Sequence, residues 1–183
     1  MTWPGYKKPE DYIVDVGVIT VGGVAEAWGA TVDGLKWDPG KKVRMVEFDG
    51  RSSEIEGMQR TIAYDAKLSG KVKRGGPSMI LDFEPGSESD GSSGSDGNVI
   101  TLLDARSPWQ EGMYLDDVYY IGRQQDLAVM YIHMPVAYVQ KYELATKDND
   151  EAAWDIVLVP VLPAEETNLN KVPFTYAFVA EEE

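Results

Sequence analysis

From Arg60 to Lys73 the chain alternates at period two: Ile62, Tyr64, Ala66, Leu68, Gly70 and Val72 interleave with Thr61, Ala63, Asp65, Lys67, Ser69 and Lys71. A strand sends successive side chains to opposite faces, so this order buries one set and wets the other. Wound as a helix, the same residues would spread their apolar groups around the whole circumference. The segment therefore requires a sheet. The rest of the sequence agrees, because 18 glycines and 10 prolines cut it into short runs rich in Val, Ile, Tyr and Thr. Further strands are predicted over Tyr12–Val21, Val43–Phe48, Asp117–Arg123, Leu127–Val136, Tyr138–Thr146, Ala153–Val161 and Phe174–Val179. Leu127–Val136 is apolar on both faces and belongs in the middle of a packed sheet. One short helix is predicted over Val99–Arg106, with Asn98 as its cap and Pro108 beyond its end. The fold class is mainly β.

A chain of 183 residues with 43% apolar side chains can build the core of one ordinary domain. The stretch GSESDGSSGSDG at 86–97 offers too little apolar surface to offset its own ordering entropy, and is expected to be a flexible loop inside that domain. Without cysteine there is neither a disulfide framework nor a thiolate metal site. The start, MTWPGYKKPED, lacks the apolar run of a signal peptide, and Leu127–Val139 is too short to span a bilayer; the expectation is a soluble, non-exported protein. A formal charge of −14 repels phosphate backbones, which argues against tight nucleic-acid binding.

The catalytic and metal-binding patterns are not met. The single histidine, His133, lies in a strand-like run and no G-x-S-x-G elbow accompanies it. Asp90 and Asp96 suggest calcium, but the twelfth loop position falls on Thr101 where a bidentate Glu is needed. Gly22 and Gly23 follow a strand without a phosphate-binding pattern and mark a turn. Carboxylate neighbours such as Glu54 with Glu56, or Asp116 with Asp117, say nothing about a cleft. Trp3, Trp28, Trp37, Trp109 and Trp154 are more in keeping with packing than with a sugar platform. The expectation is a non-enzymatic protein with no cofactor and no metal.

Two blocks carry a family resemblance. The run KWDPGKKVRMVEFDGRSSEIEGMQRTIAYDAKLSGKVK, Lys36 to Lys73, resembles the first half of the major tail proteins of long-tailed bacteriophages, the subunits of the tail tube. In both, a strand ends in a D-G turn, a segment like SSEIEG follows, and a long A-x-L-x-G strand returns. The run YLDDVYYIGRQQDLAVMYIHMPVAYVQKYELATKDNDEAAWDIVLVPV, Tyr114 to Val161, resembles the closing strands of that family, with the G-R-x-x-D turn and the T-K-D-x-D-E-x-x-W approach to a last strand. The 86–97 loop and the carboxyl-terminal arm at 162–183 have no counterpart in the pattern.

The resemblance implies a β-sandwich or partly open barrel with one short flanking helix. It implies six copies closing into rings through strand pairing, the rings stacking into a tube. Asp49, Gly50, Arg51, Ser52, Ser53, Glu54, Ile55, Glu56 and Gly57 are the expected subunit-interface loop, with Ile55 as apolar anchor. Asp65, Glu143 and Asp155 are candidates to line a lumen through which DNA passes without tight binding. The implied partners are other copies of the chain, a tape-measure protein, a distal tail protein and a tail terminator, in a virion tail assembled in the host cytoplasm. Two alternatives stand beside this reading: an extracellular carbohydrate- or calcium-binding β-sandwich module, and a related terminator or injection-tube protein.

Overall fold

The computed structural model describes residues 17–23, 28, 30–45, 59–73, 77–84, 87–90, 100–102, 113–123, 129–146 and 152–179. These form eleven strands and one helix. The mainly β class is as expected, and the antiparallel sheets are not closed.

The principal sheet has seven strands in the order β1 (Val18–Thr20), β8 (Leu115–Arg123), β9 (Val129–Ala145), β10 (Ala153–Val161), β5 (Lys67–Lys73) and β2 (Ala30–Asp38), with β11 (Thr175–Val179) also paired to β9. β3 (Lys41–Met45) and β4 (Gln59–Tyr64) make a separate ribbon, and β6 (Glu88–Ser89) pairs with β7 (Ile100–Thr101). The principal sheet curls enough that its terminal strands touch: the Thr31 hydroxyl on β2 donates to the carbonyl of Gly17, just before β1, at 2.5 Å.

Several expectations need correction. The alternating run from Arg60 to Lys73 is two strands, β4 and β5, interrupted at Asp65 and Ala66. The partner strand breaks at the same level, because β2 ends at Asp38 and β3 begins at Lys41. Gly40 makes the joint, with φ at 54°, its amide bound to the Asp38 carboxylate at 2.8 Å and its carbonyl accepting from the Asp65 amide at 3.0 Å. A Cβ there would stand 2.1 Å from the Asp65 carbonyl oxygen, so only glycine fits.

Conversely, Leu127–Val136 and Tyr138–Thr146 are not two strands. Their described residues, apart from Thr146, belong to β9, 17 residues long, which runs straight through Pro135. The inward-facing set changes phase there, from Ile132 and Met134 to Ala137 and Val139, and β8 changes phase with it, from Val118 to Leu115. Opposite the proline, Asp117 takes φ of 47°, and neither residue joins the ladder that links Asp116 with Val136 and Val118 with Met134. A proline has no amide to donate, so one matched defect lets both strands switch faces without leaving the sheet.

The expected helix over Val99–Arg106 is also overturned: Ile100–Thr101 is strand β7, and Leu103–Arg106 lie outside the described residues. The helix is α1, Pro77–Phe83, opening on a proline at the position where a missing amide costs nothing. Met79 and Phe83 are 1% and 2% exposed and plug one face of the sheet. Phe83 stacks on Tyr142 at 4.9 Å and meets Trp28 and Trp154 edge-on at 5.6 and 5.3 Å. Burying such side chains contributes roughly 1.5–3 kcal/mol each.

A second aromatic group fixes the far side. Phe174 meets Trp37 at 4.9 Å and Tyr64 at 5.7 Å, and the Trp37 indole donates to the Tyr176 hydroxyl at 2.8 Å. Trp28, Trp37 and Trp154 are therefore packing residues, while Trp3 and Trp109 lie outside the described residues.

Candidate functional site

β9 is the axis of the sheet, and its two halves have different surroundings. Residues 129–137 pair with β8 along one side. Residues 136–145 pair with β10, and residues 129–133 with β11. Val136 and Ala137 have partners in both β8 and β10, so those strands lie on opposite sides of β9. His133 and its neighbours pair with both β8 and β11, which places β11 on the β10 side. Beyond Ala137, then, the side of β9 that β8 occupies earlier has no strand against it among the described residues. Alternate residues of 141–145 direct their backbone amides and carbonyls to that open side, beyond a bulge at Gln140 where the register with β10 shifts. Gln140, Lys141, Glu143 and Leu144 are exposed along it, Leu144 by 49%.

The other terminal strands are blunted. In β2 the register slips between Val32 and Leu35, where Asp33 and Gly34 both take positive φ, 59° and 77°. The extra residues bend the strand away, and the Asp33 carboxylate holds Lys71 at 3.0 Å. At β1 the Ile19 carbonyl accepts the Trp28 amide at 2.7 Å. Among the described strands, the second half of β9 also offers an unpaired edge, with one bulge at Gln140 and a regular register with β10 over residues 141–145.

The interface loop expected at Asp49, Gly50, Arg51, Ser52, Ser53, Glu54, Ile55, Glu56 and Gly57 lies outside the described residues. The three lumen candidates are not brought together in one row. Glu143 and Asp155 stand directly opposite each other on β9 and β10, on one face, and Asp155 is opposite Lys71 on β5. Two carboxylates so placed repel, and the row relieves this with cations: Lys141 lies 3.1 Å from Glu143, and Lys71 follows Asp155. Asp65 sits off this row, in the break between β4 and β5, paired with Lys42. The face is a ladder of mixed charge, not an acidic wall.

The ribbon stands apart from the core. All five residues of β3 except Met45 are exposed, as are Gln59 to Ile62 of β4. It carries Lys41, Lys42, Arg44 and Arg60 with no carboxylate, in a chain of net charge −14. Lys41, Arg44 and Arg60 have no ionic partner among the described residues. Below the ribbon, a groove of about 450 Å³ runs between β4 and the arm that follows β10. Ile62, Ala63, Val161, Leu162, Leu169 and Pro173 give it an apolar lining, with Ile62 61% and Leu169 82% exposed.

The arm is braced by hydrogen bonds where it presents Leu169. The Glu166 carboxylate accepts the Asn168 amide at 3.0 Å and pairs with Lys171, while the Asn168 side chain accepts the Asn170 amide at 3.1 Å. Hydrogen bonding from Lys171, then from Asn168, holds the Glu166 carboxyl below the usual carboxylate range. On the other side of residues 160–165 lies a second groove, about 500 Å³, edged by Asp116, Asp117 and Glu165 over Pro135, Val136 and Pro163.

His133 hydrogen-bonds Asp117 at 3.0 Å through Nε2 and stacks on Tyr119 at 4.3 Å, inside the β8–β9 pair. Among the described residues no three His, Asp or Glu side chains are grouped to hold a metal ion. Tyr142 has its phenol pushed up to about 12 by burial, then by its hydrogen bond to Glu84 at 2.6 Å. That bond ties α1 to β9. Burial also raises the Tyr120 phenol. Both perturbed tyrosines are thus explained by packing.

No protein-family model matches the chain, and no curated protein matches it. The open edge was not readable from sequence, because it depends on how many neighbours a strand acquires. The basic character of Lys41–Arg44 with Arg60 was readable, as a local reversal of the chain's overall sign.

Proposed function

We propose that the chain is a structural subunit of a siphophage-like tail tube, self-assembling into stacked hexameric rings that form a conduit for DNA. The observation that carries this reading is the unpaired second half of β9, regular over residues 141–145 past one bulge at Gln140, while the terminal strand β2 is interrupted by two positive-φ residues. An exposed row of amides and carbonyls is completed by a strand from another chain, and six such additions around an axis remove every open edge. The grooves are open and mixed in lining, which suits contact with a macromolecule better than capture of a small molecule. The mixed-charge ladder through Glu143, Asp155 and Lys71 would present DNA with no continuous basic track. In this role the chain works without catalysis, with a tape-measure protein inside the tube and distal-tail and terminator proteins at its ends.

Negative-stain electron microscopy of the concentrated protein is the test. Rings or tubes with a central hole are expected, and Lys141→Pro, at an exposed position of the edge, should abolish them while circular dichroism shows the fold retained. Discrete compact particles whose size is unaffected by concentration, ionic strength or edge substitutions would overturn the reading.

A further inference from the structure

The β9 edge explains association through backbone pairing, but it leaves the ribbon and its groove unused. Four cations on eleven ribbon residues, none offset by a carboxylate on the ribbon itself, are unusual in a chain with 31 acidic and 17 basic residues. The apolar side chains beneath them are also exposed without need, since Leu169 sits on a turn braced by Glu166 and Lys171 rather than folded inward. A braced apolar tip beside a cationic ribbon, whose residues 61–64 line the groove, is the makeup of a docking surface: the apolar part supplies affinity, the charged part supplies orientation and partner choice.

We infer that the ribbon and its groove dock a second copy of this chain, at the groove edged by Asp116, Asp117 and Glu165. Charge complementarity selects that occupant. The acidic groove carries carboxylates at its rim and Pro135, Val136 and Pro163 at its floor, so it offers both counter-charges for Arg44 and Arg60 and an apolar seat for Leu169. Asp116 and Glu165 have no ionic partner among the described residues, as Arg44 and Arg60 have none. The two patches differ, so the contact is heterologous and propagates from one copy to the next. The inference rests on the self-assembly reading for its occupant, and adds a second, charge-dependent contact to the strand pairing at β9.

The test uses the full chain in two charge-reversed forms, Arg44→Glu with Arg60→Glu, and Asp116→Lys with Glu165→Lys. Self-association is followed by sedimentation at low and high ionic strength, with circular dichroism confirming folding. Each form alone should associate at least about tenfold more weakly than the parent, and an equimolar mixture should recover association, because reversed rim meets reversed rim. Leu169→Asp should weaken association without removing its salt dependence.

Tubes that form equally well from both reversed forms would overturn the docking while leaving the tail-tube reading intact. Salt-sensitive association rescued by mixing, but without rings or tubes, would uphold the docking and overturn the tube. A parent chain that stays monomeric at low salt would overturn the docking. So would DNA binding lost with Arg44→Glu and Arg60→Glu in place of self-association, since it would assign the ribbon to nucleic acid.

Discussion

Helix α1 and the β3–β4 ribbon are both short excursions from the same sheet, and they treat their apolar side chains in opposite ways. The helix turns Met79 and Phe83 into the core and ties its end to the sheet through Asp82, which accepts from the Trp28 indole at 2.8 Å, and Glu84, which accepts from Tyr142. The ribbon leaves Val43 and Ile62 50% and 61% exposed and gathers cations around them. Folding free energy depends on the first arrangement and hardly on the second. A segment that holds a defined shape while contributing little to the core is available for contact with another molecule.

Phe83 carries the largest share of the helix's contribution to the core. Replacing it with alanine removes the ring that three other aromatics surround, and should cost about 3–5 kcal/mol in denaturant unfolding. A loss below 1 kcal/mol, roughly the worth of one net hydrogen bond, would show that α1 is not part of the core. Gly40→Ala probes the joint between sheet and ribbon, where φ is 54° and the Asp65 carbonyl stands in the way. Its expected cost is about 1–3 kcal/mol, with the ribbon's amide protons exchanging faster than those of β9.

Tyr142→Phe should cost about 1 kcal/mol, because the Glu84 bond is lost while the ring stays packed. The phenol also predicts a pH dependence. Its folded pKa lies above the ordinary value of 10.0, so its contribution is intact below that value and is gone once pH rises past about 12. In the phenylalanine variant this alkaline loss should shrink, as followed by unfolding curves across that window. The smallest effect sharpens the contrast: Ile62→Ala should change unfolding free energy by no more than about 0.5 kcal/mol, as an exposed site does, while reducing self-association. A destabilisation as large as that of Tyr142→Phe would place the ribbon in the folding core.

Sequence pattern disclosed the strands whose phase is constant. Ala153–Val161 matches β10, and the buried members of Lys67–Lys73 are the alternating Leu68 and Val72. It misjudged places where the phase changes inside one strand, as at Pro135, since a face switch looks like two strands unless the matching defect at Asp117 is known. β2 escaped notice because Asp33–Gly34 has the makeup of a turn, and the chain uses it as a bulge. Helix α1 is only seven residues, shorter than two turns, too few to establish a helical period. Of the candidate surfaces, the sign of the ribbon's charge was visible along the chain. The groove was not, because Ile62 and Leu169 are far apart in sequence and meet only after the arm folds back.

The unbroken course of β9 through Pro135 has a mechanical consequence. One covalent strand connects the region clasped by β8 and β11 to the region clasped by β10, so tension along it reaches neighbours at both ends. Those antiparallel neighbours would be loaded in shear, with their hydrogen bonds sharing the force, instead of being peeled apart one after another.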